Sequence, residues 1–124
     1  MYTRLIYRGF GVLGFWGFGV AKDAARGLAL GRESEAAGSC FGQYVVGVCY
    51  DFGCGGVAQD DAEAARLFRL AADQGHAGAQ NNLGYMFEDG KGVAKDRVEA
   101  IRWHRLAAAQ GQGQATAALR RLRA

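Results

Sequence analysis

One five-residue motif recurs three times along this 124-residue chain. The motif GVAKD occupies residues 19–23 and 92–96, and the variant GVAQD occupies residues 56–60. The copies are therefore spaced by 37 and then 36 residues. Self-similarity at a period of about 20 to 50 residues is typical of repeat proteins, in which each unit packs against the next. The chain is predicted to fold as stacked copies of one small unit.

The first half of the clearest unit predicts an α-helix over residues 77–88. Its apolar residues share one helical face: Ala79, Leu83, Met86 and Phe87. Gly84 lies inside this helix, where glycine lowers helix stability by about 1 kcal/mol relative to alanine. Close approach of a neighbouring backbone would explain why a glycine is present there. Gly90 and Gly92 then form a loop, because glycine readily adopts positive φ angles. Val93 is expected to fold back and bury its apolar side chain against the repeat.

The second half of this unit predicts a helix over residues 97–110. Its apolar stripe consists of Ala100, Trp103 and Ala107, widened by Ile101 and Leu106. Asp96 is the expected N-cap, and Glu99 stands three residues later, where a capping box has its reciprocal partner. Gly111 is placed to end the helix.

The same register divides the rest of the chain. Residues 39–75 repeat the pattern with one extra loop residue, which explains the unequal spacing. Residues 1–38 carry a degenerate first repeat, residues 76–111 carry the third, and residues 112–124 begin a fourth that is cut short. The short fourth segment has a polar surface suited to a capping helix, because a stack of repeats needs a solvated end.

Composition and charge argue against several classes of function. The net charge of +3 is too small to mark a nucleic-acid-binding domain, and the basic cluster Arg120, Arg121 and Arg123 lies at a predicted helix end. His76 and His104 have no cysteine or carboxylate at ligand spacing, and we expect His104 to face solvent. No catalytic residue, metal site or cofactor is predicted.

The cysteines and the N-terminal segment bear on the compartment. An odd number of cysteines without a CxxC motif, Cys40, Cys49 and Cys54, favours reduced thiols and a cytoplasmic location. Residues 1–21 place two arginines before an apolar run, which is also the pattern of a secretory signal; the protein would then be secreted or periplasmic. The run is too short for a stable membrane span. We assign it to the first repeat.

Residues 83–111 read LGYMFEDGKGVAKDRVEAIRWHRLAAAQG. They resemble a Sel-one-like repeat, a relative of the tetratricopeptide repeat, in the order Leu-Gly, aromatic, Gly-x-Gly-Val, Asp, Ala, aromatic and Ala-Ala-x-x-Gly. The likeness is strong in residues 75–111, good in 38–75 and weak before 38. The resemblance implies an all-α fold, a right-handed α/α superhelix or solenoid of stacked helix–turn–helix repeats. It also implies a scaffold or adaptor that binds other proteins.

In such a stack the first helices line the concave face, where equivalent positions recur from unit to unit. Seven residues are predicted to contact a protein or peptide partner there: Tyr44, Val48, Asp51, Asn81, Asn82, Tyr85 and Glu88. Asparagine donates and accepts hydrogen bonds toward a peptide backbone, and tyrosine adds apolar area with a polar tip. The alternative is that the tyrosines pack between units.

Two other functions stay open. The first is a β-lactam-binding protein or β-lactamase-like hydrolase, because cysteine-rich relatives of the family have been associated with β-lactam binding and hydrolysis. Those relatives use regular cysteine pairs, whereas the three cysteines here lie in one unit. No serine–lysine nucleophile pair is visible either. The chain would otherwise be a structural fragment of a longer array, since stacks need about three units for stability. In that case Phe10, Phe15 and Trp16 would promote self-association.

Overall fold

The computed structural model describes residues 21–123, which form six α-helices and no strand. The helices are α1 (Ala21–Ala36), α2 (Cys40–Phe52), α3 (Asp61–Asp73), α4 (Ala77–Asp89), α5 (Arg97–Ala109) and α6 (Gly113–Arg123). The predicted all-α fold is confirmed. The predicted first helix of the first repeat, the alternative secretory signal and the three aromatic residues expected to self-associate lie outside the described residues.

Each helix of the third repeat begins and ends where the sequence predicts, but the capping box does not form. Asp96 Oδ1 accepts hydrogen bonds from the backbone N–H groups of Val98 and Glu99, at 3.0 and 3.2 Å. The Glu99 carboxylate turns away and pairs with Arg102. The N–H of Asp96 needs no side-chain acceptor, because it donates to the carbonyl of Phe87 at 2.9 Å. The preceding repeat has the same arrangement, with Asp60, Glu63, Arg66 and Tyr50.

Helices pack in sequence order, each against the next, and glycines mark the closest approaches. A Cβ atom added to Gly84 would lie 2.7 Å from Cε1 of His104, and one added to Gly47 would lie 2.9 Å from the ring of Phe68. The expected close approach at Gly84 is therefore real, but the neighbour is a side-chain ring of the second helix rather than its backbone. Glycine permits the ring to lie flat on the first helix.

Two apolar clusters hold the stack together. The larger joins the second and third repeats: Ala64, Ala65, Phe68, Ala71, Ala72, Ala79, Leu83, Met86, Phe87, Ala100 and Trp103. The smaller joins the first and second: Leu28, Val46, Cys49 and Leu67. Ala79, Leu83, Met86, Phe87, Ala100, Trp103 and Ala107 are buried as predicted, and Val93 packs on the larger cluster as expected. Ile101 and Leu106 are corrections: they lie on the face of α5 opposite the core, which has no neighbouring helix among residues 21–123.

Candidate functional site

Four of the seven predicted partner-binding residues are buried. Asp51, Asn81, Asn82 and Tyr85 lie inside the molecule, while Tyr44, Val48 and Glu88 are half-buried. The expectation that all seven side chains project into an open groove is therefore corrected for these four. Asn81 and Tyr85 lie on the side of α4 that faces α6, whereas Asn82 lies near Tyr44 of the preceding first helix.

The junction between α4 and α6 accounts for the burial of Asn81 and Tyr85. Asn81 Nδ2 donates to Gln114 Oε1 at 3.3 Å, and the Tyr85 hydroxyl donates to the Gln114 carbonyl at 3.4 Å. Glu88 forms an ion pair with Arg121 at 2.8 Å. Three polar positions on consecutive turns of α4 thus contact the C-terminal helix, which fixes where that helix lies.

His104 extends this junction into the core and overturns the expectation that it faces solvent. The imidazole is fully buried, with Nδ1 3.0 Å from Asn81 Oδ1 and Nε2 2.8 Å from Glu88 Oε2. The ring also meets Tyr85 edge-on, at 4.8 Å between centroids. The repeat register supplied the missing signal, because it pairs His104 with Phe68, a core residue of the second repeat.

Glu88 carries a charge in this shielded place. Burial alone raises the pKa of its carboxyl group, but hydrogen bonds from His104 and Arg121 outweigh that effect and hold the pKa below its usual value. A carboxylate has only acceptor oxygens, so the ring nitrogen of His104 that faces it carries a proton. The cluster of Asn81, Tyr85, Glu88, His104 and Arg121 is hereafter called the polar junction.

An equivalent junction joins α2 to α4. The ring of Tyr44 stacks on His76, with centroids 4.5 Å apart, and lies 5.9 Å from the ring of Phe68. Burial raises the pKa of the Tyr44 hydroxyl, and the nearby Asn82 side chain offsets part of that rise. His76 in turn caps α4, since its Nδ1 accepts from the N–H of Ala79 at 3.0 Å. The alternative considered from sequence, tyrosines packing between units, is what the structure has.

Potential metal ligands are not clustered among residues 21–123. No group of three or more histidine, cysteine, aspartate or glutamate side chains is gathered as a metal site there. Cys40, Cys49 and Cys54 are free thiols, and burial raises the pKa of Cys49 to about 12, which keeps it protonated and unreactive. None of the helices in this part of the chain is long and apolar enough to cross a membrane.

The repeat itself matches a known sequence family. The pattern of the Sel1 repeat fits residues 8–39, 41–76 and 77–112. The chain belongs to the Sel1 repeat family. A Sel1 repeat thus accounts for the Leu-Gly pair of α4, the glycine loop and the double alanine of α5. The boundaries between the matched repeats fall in the turns before α2 and α4.

Two solved Sel1 structures are similar to this chain. A Sel1 repeat protein from Oxalobacter formigenes is 38% identical, with a TM-score of 0.70 over 73% of this chain and 67% of that one. The protein c5321, a protective antigen present in uropathogenic Escherichia coli strains and displaying an SLR fold, is 35% identical, with a TM-score of 0.70 over 73% of this chain. The match spans 19% of c5321. No curated protein matches the chain.

Sel1 repeat proteins generally act as scaffolds for protein–protein interactions and typically have no enzymatic activity. Membership in the family therefore implies protein partners for this chain.

Proposed function

We propose that this Sel1 repeat protein is a scaffold that binds a protein or peptide partner along the face formed by its first helices α2, α4 and α6. The observation that carries the proposal is the pair of junctions that join these three helices edge to edge. Residues at the same repeat position form both junctions, Tyr44 in one and Asn81 in the other. A regular surface of this kind presents equivalent side chains at a fixed spacing, which suits an extended peptide.

The seven predicted residues then fall into two roles. Tyr44 and Val48 keep accessible surface and are the proposed partner contacts. The Glu88 side chain is only 10% exposed and is paired with His104 and Arg121, so it has a positioning role. The buried residues, Asp51, Asn81, Asn82 and Tyr85, act as positioning residues that hold the helices in register. Side chains already locked by packing lose little entropy when a partner binds, and this favours affinity.

A peptide selection on the full chain tests this proposal. Random peptides displayed on phage are selected against the wild-type protein, and their affinities are then compared for two variants. Val48→Arg introduces an arginine on α2 at the repeat position that Arg121 occupies on α6. Tyr44→Phe removes the hydroxyl group but keeps the ring stacked on His76. We expect Val48→Arg to weaken binding by about tenfold or more, because it blocks the face with a long charged side chain.

The matched control is Ala62→Arg, an apolar-to-arginine change at an exposed position of α3, on the other side of the hairpin. This control is expected to bind the selected peptides as the wild type does. Unfolding curves of all variants check that each remains folded. Peptides that bind Val48→Arg normally but lose affinity for Ala62→Arg would place the binding surface on the second helices and end the proposal.

The β-lactam hydrolase considered from sequence is not proposed. The three cysteines are free thiols within one repeat, rather than the regular pairs that this alternative requires.

A further inference from the structure

The outer face of α5 carries an exposed stripe of mixed apolar and basic character. An open depression follows the helix and is lined by Val98, Ile101, Arg102, Arg105 and Leu106. Their spacing of three and four residues puts them on one side, opposite the core residues of the same helix. Val98 is 76% exposed and Leu106 is 42% exposed. This stripe is hereafter called the α5 face.

Comparison with the preceding repeat shows that the α5 face is not a generic repeat surface. The equivalent helix α3 has Ala62 where α5 has Val98, and Ala65 where α5 has Ile101. Ala65 is buried because the third repeat packs over it. Compared with α3, α5 thus has larger apolar side chains at these two positions, and its accessible surface there is also larger. Exposed apolar area of this kind marks a contact site.

A further helix hairpin of the same geometry does not fit at this end. Each earlier first helix has a glycine where the ring of its second helix rests, Gly47 under Phe68 and Gly84 under His104. The register places Arg120 at this position of α6, and a long charged side chain prevents the same close approach. The α5 face is therefore not suited to one more repeat of this geometry.

Charge indicates which partner suits the α5 face. Residues 97–123 contain a single carboxylate side chain, Glu99, which is already paired with Arg102 at 3.0 Å. Six arginines lie in the same segment, Arg97, Arg102, Arg105, Arg120, Arg121 and Arg123, of which Arg121 is paired with Glu88 of α4. The guanidinium of Arg102 is held over the ring of Trp103, at 4.4 Å from its centroid. This end of the molecule has a positive field that attracts anionic partners and repels cationic ones.

The same charge disfavours two occupants available from the chain itself. Residues 1–20 include Arg4 and Arg8 but no carboxylate side chain, so like charges would meet if that segment covered the α5 face. Two copies of the protein joined through this face would also bring their arginines together. Like charges in such an interface are unfavourable.

We propose that the α5 face binds an acidic amphipathic helix of a partner protein. Apolar side chains of that helix lie on Val98, Ile101 and Leu106, and its carboxylates pair with Arg102 and Arg105. A helix with an apolar stripe flanked by glutamates matches both features, in the way that amphipathic helices generally fill apolar grooves. This surface is on the second helix and goes beyond the peptide-binding face proposed above, so either can fail without the other.

A pair of synthetic peptides tests the proposal on the full chain. Both have the 13-residue length of α5 and the same leucine stripe, one flanked by glutamates and the other by lysines. Fluorescence anisotropy measures their affinities. We expect the acidic peptide to bind at least about tenfold more tightly, with the preference reduced at high salt. Arg105→Glu is expected to reduce or reverse the preference.

Leucine variants in two repeats locate the binding surface. Leu106→Ser is expected to weaken the acidic peptide by about tenfold, as loss of a central apolar contact does. Leu70→Ser is the matched control, because Leu70 has the same position in the second repeat and is 40% exposed. Both leucines are exposed, so both variants should unfold at nearly the wild-type denaturant concentration.

Three results would overturn the proposal. The first is equal affinity for the acidic and basic peptides, or equal loss in the two leucine variants. The second is a wild-type dimer in sedimentation equilibrium that Leu106→Ser dissociates, which assigns the face to a second copy. The third is a nuclear Overhauser contact between residues 1–20 and Val98, which assigns the face to the chain's own N-terminal segment.

Discussion

A single glycine decides how closely the two helices of the third repeat approach. Gly84→Ala adds a methyl group within 2.9 Å of three ring atoms of His104, and that ring cannot swing away because Asn81 and Glu88 hold it. Overpacking of about 1–3 kcal/mol then exceeds the gain in helix propensity of about 1 kcal/mol. We expect a net loss in the free energy of unfolding, measured by urea denaturation.

Gly27→Ala is the matched control for this prediction. Gly27 also lies inside a helix, but an added Cβ there would meet nothing within 4 Å. The same substitution should therefore stabilise the protein by about 0.5–1 kcal/mol, because alanine loses less backbone entropy on folding. If both variants changed stability in the same direction, helix propensity rather than contact with His104 would govern the site.

Glu88 should make the stability of the protein depend on pH in the acidic range. Its folded-state pKa is lowered below the usual 4.5, so the unfolded chain takes up the proton first on acidification. The stabilising contribution is fully present above about pH 4.5 and is lost as pH falls through the lower folded value. We expect Glu88→Gln to be less stable than the wild type at neutral pH.

The difference in the free energy of unfolding between these two proteins should shrink as the pH is lowered below about 4.5, because the wild-type carboxylate then becomes protonated too. Urea unfolding at a series of pH values measures it. A difference that stayed constant over the whole series would mean that Glu88 stabilises the fold by shape rather than by charge.

Sequence identified three residues of the polar junction, Asn81, Tyr85 and Glu88, but not their environment. Asn81, Tyr85 and Glu88 stand on the face that helical periodicity assigns to them, yet periodicity does not say what lies opposite. The covering partner is Gln114, 33 residues beyond Asn81, and its contact depends on how a separate helix docks. The prediction that His104 faces solvent is wrong, although its register equivalence to the apolar Phe68 would have indicated burial.

At the level of the helices, local capping and long-range pairing act together. The predicted N-caps are confirmed because an aspartate before a helix satisfies its first N–H groups by purely local geometry. Glu99, predicted to complete a capping box, does not do so, and neither does Glu63 at the same position of the second repeat. In both cases a carbonyl of the preceding helix already accepts the backbone N–H that the glutamate would have bound. Local sequence predicts the first kind of contact and not the second.

Asp96→Ala should destabilise α5 by about 0.5–2 kcal/mol, because two backbone N–H groups lose their acceptor. Asp96→Asn keeps a side-chain oxygen at the same position and should retain most of the wild-type stability. The midpoint of chemical denaturation measures both changes. Equal losses in the two variants would show that the negative charge near the helix start, rather than the hydrogen bonds, provides the stabilisation.

Across the stack, stability should be unevenly distributed. The larger apolar cluster joins the second and third repeats through α3, α4 and α5, whereas α1 contributes only Leu28 to the smaller one. Repeat proteins open by local units whose stability follows nearest-neighbour contacts. Hydrogen exchange followed by NMR should therefore show the slowest amides in α4 and faster exchange in α1.

Phe68→Ala tests whether this distribution has the proposed cause. Phe68 is fully buried, packs on Gly47 and Tyr44 of the first helix of its own repeat, and belongs to the larger apolar cluster shared with the third repeat. Its removal should cost about 3–5 kcal/mol by leaving a cavity. Because the phenylalanine bridges two repeats, amide hydrogen exchange should accelerate in both α2 and α4. Faster exchange confined to α3 would show that the repeats are stabilised separately and that the cluster does not couple them.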